Sequence, residues 1–164
     1  MAITKAAVLV GIGTFSVDGA DVGSTRNGVN CTMQLDMYEK EVDQFLATLD
    51  LVPTKVGMTV DTEIAEATQE NVRTAWNVKN APAGASPAKT LKLGVNTVSA
   101  EHTLSFLGRA PTGGLRTFAI FRAGVMGSSQ MGIKKNDQVG LPSSFVCLPD
   151  LAKAEGDEFG TIIE

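Results

Sequence analysis

Residues 55–65 read Lys-Val-Gly-Met-Thr-Val-Asp-Thr-Glu-Ile-Ala, and this stretch decides the fold class. Val56, Met58, Val60, Thr62 and Ile64 occupy every second position, and polar, charged or small residues stand between them. A period of two places alternate side chains on opposite faces of a β-strand. The stretch therefore predicts a strand with one buried face and one more hydrated face.

A second segment with the same period lies upstream, at residues 29–37, where Val, Cys, Met, Leu and Met alternate with Asn, Thr, Gln and Asp. The intervening Tyr38–Pro53 is too long for a tight hairpin turn, so we predict a long loop there. Loops above ~12–15 residues in a compact domain are usually functional or disordered. This segment is rich in apolar residues, which favours docking on another surface.

Downstream of Thr68 the period of the apolar residues changes from two to helical. Thr68 is a suitable N-cap, and Val72, Ala75 and Trp76 share one helix face. Further strands are predicted at 90–99, 102–108, 116–125 and 144–148, and an Asp-Gly pair at 18–19 predicts a tight hairpin. We predict a single domain over 1–164 that is mainly β, a β-sandwich or small barrel, with one packed α-helix.

Composition excludes several classes of protein. The chain has 164 residues, 43% of them apolar and 20% charged, which is typical of a globular domain and argues against disorder. A net charge of −4 argues against a nucleic-acid clamp. One His and two Cys argue against a histidine-rich metal site or a disulfide framework. No run without charged residues exceeds twelve residues, whereas a membrane-spanning helix needs ~20 apolar residues.

The motifs that could carry catalysis are incomplete. Residues 11–16 (Gly-Ile-Gly-Thr-Phe-Ser) have Ser16 where a dinucleotide-binding loop needs its third glycine, and a turn follows where that site needs a helix. His102 has Glu101 beside it, but neighbouring residues on a strand face opposite ways, so the two do not form an acid–base pair. We therefore predict no catalytic, cofactor-binding or metal-binding residues and no enzymatic activity.

Four phrases, taken in order, carry a resemblance to a known family. They are Val-Asp-Gly-Ala-Asp-Val-Gly at 17–23, Glu-Lys-Glu-Val-Asp-Gln at 39–44, the stretch 59–72 that leads from strand into helix, and Ser-Phe-Val-Cys-Leu-Pro-Asp at 144–150. Asp150, Gly156 and Phe159 follow the pattern of a closing segment in that family. The order of elements is similar to that of the major tail tube proteins of long-tailed bacteriophages.

The resemblance implies a β-sandwich with a flanking helix whose copies form rings, typically hexameric, that stack into a hollow tube for DNA delivery. The partners it implies are other copies of the chain, the tape measure protein, the tail terminator and tail proteins on the baseplate side. Double-stranded DNA would pass through the bore without sequence-specific binding, and no membrane is involved. The implied location is the virion tail, and the host cytoplasm during assembly.

The resemblance also implies two sets of site residues. The long loop would reach the neighbouring ring through Tyr38, Glu39, Glu41, Val42, Asp43 and Phe45. Asp61 and Glu63 alternate with the buried face of a strand, so we expect them to face the bore, where acidic side chains limit attraction to phosphate.

Other functions remain open at this point. One is the tube protein of a contractile tail or of a type VI secretion-like device. Another is a non-catalytic ligand-binding β-sandwich module, which usually presents exposed Trp and Tyr, and this chain has one of each. A third is a small hydrolase that depends on His102.

Overall fold

The chain folds into a curled antiparallel β-sheet and a short helix. The computed structural model describes residues 13–41, 50–94, 96, 98–110, 113–127, 129–132 and 139–164. Within these ranges the elements are β1 (Thr14–Val17), β2 (Ala20–Asp21), β3 (Thr25–Lys40), β4 (Asp50–Ile64), α1 (Gln69–Ala75), β5 (Glu101–Arg109), β6 (Leu115–Val125), β7 (Leu141–Cys147) and β8 (Gly160–Ile163). The predicted class, mainly β with one α-helix, is confirmed.

The sheet has the strand order β2-β1-β5-β6-β7-β4-β3, and β8 is a branch on β6. One edge of β6 pairs with β5. Its other edge is shared, because β7 pairs with Ala123–Val125 and β8 pairs with Thr117–Ile120. The sheet therefore divides at β6 into a short arm, β8, and a long arm made of β7, β4 and β3.

Curling of the sheet encloses the core. Phe15 of β1 and Phe145 of β7 pack edge to face with ring centroids 6.2 Å apart, although β5 and β6 lie between these two strands in the sheet. Both rings are almost fully buried. Val60, Thr62 and Ile64 of β4 are buried as well, which confirms the C-terminal part of the inward face predicted from the alternation at 55–65, whereas Val56 is 46% exposed because the ladder continues there beyond β7.

The predicted hairpin at the Asp-Gly pair is confirmed. Asp18 and Gly19 form the two-residue connection between β1 and β2, and their φ angles are 53° and 77°. Two consecutive left-handed residues define a type I′ turn, whose twist matches that of the flanking strands. The Asp-Gly dipeptide accounts for this local geometry, since both residues tolerate positive φ.

The helix is confirmed at the predicted place. The Thr68 side chain accepts a hydrogen bond from the Asn71 N–H at 3.2 Å, and Val72 and Ala75 are buried against the sheet. Asn71 Nδ2 donates to the carbonyl oxygen of Val22 at 2.9 Å, which ties the helix to the chain between β2 and β3. Trp76 follows the helix as its C-cap and packs against the core while partly buried.

The strand predicted at 90–99 is wrong. Of the described residues there, only Thr90 makes a β-bridge, with Ala83. The backbone instead bonds to the turn after α1: Lys79 N–H donates to Gly94 O, and Ala100 N–H donates to Asn77 Oδ1 at 3.0 Å. These bonds satisfy the polar groups of the segment without a neighbouring strand.

The loop predicted at Tyr38–Pro53 is wrong at both ends. Tyr38 pairs with Val52, and Lys40 pairs with Asp50, so β3 and β4 form one long hairpin. Residues 42–49 lie outside the described part of the chain. The prediction failed because apolar residues near the middle of the segment were assigned to a docked loop, whereas those at its ends continue the two strands.

We predict that Thr68→Ala lowers the free energy of unfolding by about 1 kcal/mol, because the N–H of Asn71 loses its capping acceptor. Thr68→Ser, which keeps the hydroxyl, is the control and should unfold at nearly the wild-type urea concentration. Equal stabilities of the Ala and Ser variants in urea titrations would show that this cap does not support the fold.

Candidate interaction surface

The β3–β4 hairpin projects beyond the rest of the sheet. β7 pairs with β4 only from Met58 to Ile64, and the ladder between β3 and β4 continues past this point to Lys40 and Asp50. In the described residues, no third strand pairs with this projection. We call it the ribbon, Leu35–Lys40 on β3 and Asp50–Val56 on β4 (35–40 and 50–56).

One face of the ribbon is apolar and exposed. Leu35 and Met37 alternate along β3, and Val56 and Pro53 stand directly opposite them on β4. The exposed fractions are 50% for Leu35, 44% for Met37, 53% for Leu51 and 46% for Val56. Glu39, which stands opposite Leu51, is a charged residue on the same face near the end of the hairpin. We call the apolar set the ribbon face; its members are Leu35, Met37, Leu51, Pro53 and Val56.

A β-bulge keeps the apolar residues of both strands on that face. The register shifts between Asp36 and Met37, which leaves Thr54 without an opposite residue on β3. Thr54 is the extra residue of the bulge, and its hydroxyl donates to the carbonyl oxygen of Asp36 on β3 at 3.1 Å. A one-residue slip moves side chains to the other face of a strand, so the bulge lets Pro53 lie on the same face as Val56.

The opposite face of the ribbon carries charges of both signs. Asp36 stands opposite Lys55, and Lys40 stands opposite Asp50. Cross-strand pairs of opposite charge are favourable on a solvated face. Tyr38 and Val52, exposed at 62% and 44%, form a further cross-strand pair on this same face. The ribbon face is therefore the more apolar of the two, and the opposite face carries both charged and apolar residues.

Behind the ribbon, the division of the sheet at β6 opens an apolar cleft between β3 and β8. It has a volume of about 300 Å³. The residues that line this β3–β8 cleft are Cys31, Met33, Met58, Phe118, Ile120, Gly156, Phe159, Gly160, Thr161 and Ile162. Met33 and Ile162 are exposed at 63% and 62%, so the apolar interior of the fold reaches solvent here.

The two cysteines occupy different depths beside this cleft. Cys31 is exposed, and Cys147, opposite Met58 on β7, is buried. Burial raises the pKa of the Cys147 thiol to about 11, and the nearby Cys31 adds to this shift. Partial burial raises the pKa of Cys31 as well. Both side chains are therefore neutral thiols at physiological pH.

The residues predicted for the inter-ring loop fall at the end of the hairpin. Tyr38 and Glu39 belong to β3, and Glu41 follows the strand as an exposed residue. Val42, Asp43 and Phe45 lie outside the described residues. Sequence reasoning missed the ribbon face itself, although alternation of apolar residues through Leu35 and Met37 was the available signal.

The predicted pair Asp61 and Glu63 lies on the outer face of β4, between buried residues, but the two carboxylates differ in surroundings. Asp61 is exposed and stands opposite Asn30 and Ser144. Glu63 is partly buried and lies 3.5 Å from the guanidinium of Arg26. Asp61 therefore presents its charge to solvent, whereas the charge of Glu63 is already paired.

His102 and Glu101 do not act together, as their positions on one strand predict. Glu101 accepts two hydrogen bonds from Arg122, at 2.7 and 3.0 Å, and this hydrogen bonding lowers the pKa of Glu101. The imidazole Nδ1 of His102 lies 2.7 Å from a carboxylate oxygen of Asp18, in the β1–β2 turn. Sequence reasoning missed this partner because the two residues are far apart in the chain.

Asp18 anchors the β1–β2 turn to the start of β5. Its other carboxylate oxygen accepts the N–H of Thr103 at 2.8 Å, and its own N–H donates to the Thr103 carbonyl. Partial burial raises the pKa of Asp18, but the hydrogen bonds from His102 and Thr103 outweigh it, so the pKa lies below the usual value of 3.8. The arrangement is a structural anchor with its carboxylate held ionised.

Among the described residues, no group of three or more His, Cys, Asp or Glu side chains is placed to hold a metal ion. Helix α1 is seven residues long, and no helix in the described residues has the length and apolarity needed to span a membrane.

We predict that Asp18→Asn destabilises the protein at neutral pH and that the difference from wild type shrinks in acid. A carboxyl whose pKa is lowered by folding stabilises the folded state above its ordinary pKa of 3.8, and this contribution is lost as the pH falls through the folded value. Urea unfolding at neutral pH and below pH 3.8 measures the difference. Asp21→Asn, in the same hairpin, is the control; a pH-independent Asp18→Asn effect would contradict the prediction.

We predict that only Cys31 reacts with a thiol reagent in the folded protein, because Cys147 is buried and its pKa is raised to about 11. Absorbance with an aromatic disulfide reagent should report one thiol per chain before unfolding and both in denaturant. A Cys31→Ser variant should show none before unfolding. Fast modification of Cys147 in that variant would mean that β7 opens readily.

Comparison with known proteins adds no family to this description. The sequence matches no protein-family model, and no characterised protein matches it significantly. The function is therefore inferred from the ribbon, the cleft and the resemblance described above.

Proposed function

We propose that this protein is a structural subunit that assembles with copies of itself into stacked rings, as the tail tube of a long-tailed bacteriophage, forming the conduit for DNA delivery. The observation that carries the proposal is the exposed apolar face of the ribbon, which, in the described residues, pairs with no strand outside the β3–β4 hairpin. The resemblance in sequence order supplies the kind of assembly.

The ribbon supports self-assembly because it is poorly stabilised on its own. A two-stranded hairpin is at best marginally stable in water and needs a third strand or a covering layer. Burying one large apolar side chain contributes roughly 1.5–3 kcal/mol. Leu35, Met37, Leu51 and Val56 are each about half exposed, so covering them with another copy would contribute roughly half of that amount per side chain. This contribution favours association, and backbone pairing along the edge of β3 must add to it to offset the loss of translational and rotational freedom.

The edge of β3 supports the same proposal. β3 is sixteen residues long and pairs on one side only, with β4, in the part of the chain that the structure describes. Between Arg26 and Glu39 its only charged residue is Asp36, so the edge is weakly protected against pairing with another strand. Pairing of this edge with a neighbouring copy would satisfy its backbone groups, and a closed ring leaves no free edge.

The outer face of β3 and β4 supports a role as the lining of a bore. Asp61 is exposed on that face, among the polar residues Asn30 and Ser144. An exposed carboxylate limits attraction to the phosphates of passing DNA. Glu63 is a weaker candidate for the same role, because Arg26 already neutralises it.

The proposal predicts that a charge on the ribbon face prevents assembly without unfolding the subunit. Leu35→Lys should leave the free energy of unfolding within about 0.5 kcal/mol of wild type, because Leu35 is half exposed in the monomer. Wild-type protein should form tubes of uniform diameter in negative-stain micrographs, and the variant should remain a monomer in sedimentation.

Gln34→Lys is the matched control. It adds the same charge one position away, at an exposed residue whose side chain lies on the opposite face of β3. This variant should still form tubes. Tubes from Leu35→Lys would contradict the role of the ribbon face. A wild-type protein that stays monomeric and binds glycans would instead favour a ligand-binding β-sandwich module.

A further inference from the structure

We propose that the β3–β8 cleft contains a binding site for a soft monovalent metal ion, Cu(I) or Ag(I), formed by the thiolate of Cys31 and the thioethers of Met33 and Met58. All three side chains line the same cleft. This inference does not depend on the proposed function, because it concerns the free subunit and uses none of the ribbon-face residues.

The register of β3 and β4 brings the three sulfur-bearing side chains together. Cys31 and Met33 are two residues apart on β3 and so point to the same face. Met58 stands directly opposite Met33 on β4, whereas Cys31 stands opposite Val60 and is the diagonal neighbour of Met58, with Cα atoms ~7–8 Å apart. Residues directly opposite each other have Cβ atoms ~4.5–5.5 Å apart, and the unbranched methionine side chain has the flexibility to turn its sulfur toward a shared point.

The chemistry of the lining selects the kind of ion. Thiolate and thioether sulfur are soft ligands and prefer Cu(I) and similar ions, whereas carboxylates and carbonyls suit magnesium and calcium, and imidazole suits zinc. The other residues that line the cleft are apolar or small, and none is Asp, Glu or His. The side-chain donors are therefore three sulfur atoms and the neutral hydroxyl of Thr161, a set in which soft ligands predominate.

The charge of the ion follows from the apolar surroundings. Binding replaces the Cys31 S–H bond with a sulfur–metal bond and releases one proton to solvent, while Met33 and Met58 each donate a sulfur lone pair and no electron is transferred. A thiolate with a monovalent cation is neutral overall, but a divalent cation would leave a net charge in the cleft, which is costly. The rings of Phe118 and Phe159, which also line the cleft, add favourable surroundings for a cation.

The site would also give a role to the exposed side chain of Met33. Met33 is 63% exposed although it lies on the inward-facing side of β3, next to buried Val60 and partly buried Met58 in the ladder. An ion that drew the Met33 sulfur toward Met58 would turn this side chain into the cleft. Cys31, at the mouth, is the accessible point of entry.

The test is a titration of the full chain with silver nitrate in chloride-free buffer, with the methionine methyl groups followed by NMR. The methyl signals of Met33 and Met58 should shift together and stop shifting at one ion per chain, with one proton released per ion. Met126, exposed at the end of β6, should not shift and serves as the internal control.

Variants separate this site from adventitious binding to a thiol. Met33→Leu and Met58→Leu, which conserve volume, should each weaken affinity about tenfold or more in competition titrations, and Cys31→Ser should abolish tight binding. Met126→Leu should bind like wild type. Unchanged affinity in both Met33→Leu and Met58→Leu would mean that Cys31 binds silver alone and would overturn the proposal, as would the absence of binding by wild type.

Discussion

The ladder between β3 and β4 is longer than the ladder between β4 and β7, and the exposed surfaces of this protein result from that difference in length. β7 stops at Cys147, opposite Met58, while the hairpin continues to Lys40 and Asp50. Backbone hydrogen bonds between two strands are enough to continue a ladder, but they do not cover its faces. The apolar side chains beyond Met58 are therefore left with water on one side, and covering them would lower their free energy.

The same difference in length explains why the core opens where it does. β8 supplies only four residues to the edge of β6 and leaves the space between itself and β3 unfilled. At Gly160 the strand approaches β6 so closely that a Cβ would clash with the carbonyl oxygen of Ala119, so glycine is the residue that fits at this position. The sulfur-bearing side chains of β3 and β4 are consequently grouped at an open, apolar edge.

The opposite end of the molecule is held by polar contacts. Asp18 connects the β1–β2 turn to β5 through His102 and Thr103, and Asn71 connects α1 to the chain after β2. These bonds fix the closed end of the curled sheet around Phe15 and Phe145. The protein thus combines a closed end with a projecting, open end.

Sequence alone determined the features that depend on short-range periodicity and local backbone preference. The alternation at 55–65 predicted β4 and its buried face, the Asp-Gly pair predicted the β1–β2 turn, and Thr68 predicted the start of α1; the mainly β class followed from these. Such signals lie within a few residues of one another, so no distant contact is needed to interpret them.

Tertiary structure decided the features that depend on distant partners. The segment 90–99 has residues compatible with a strand, but the turn after α1 takes its hydrogen bonds. Residues 38–40 and 50–53 are strands because they pair with the opposite arm of the hairpin. Whether Met33 packs in a core or faces an open cleft depends on where β7 and β8 end. The alternation along a strand indicates which residues share a face, but it does not indicate what packs against that face.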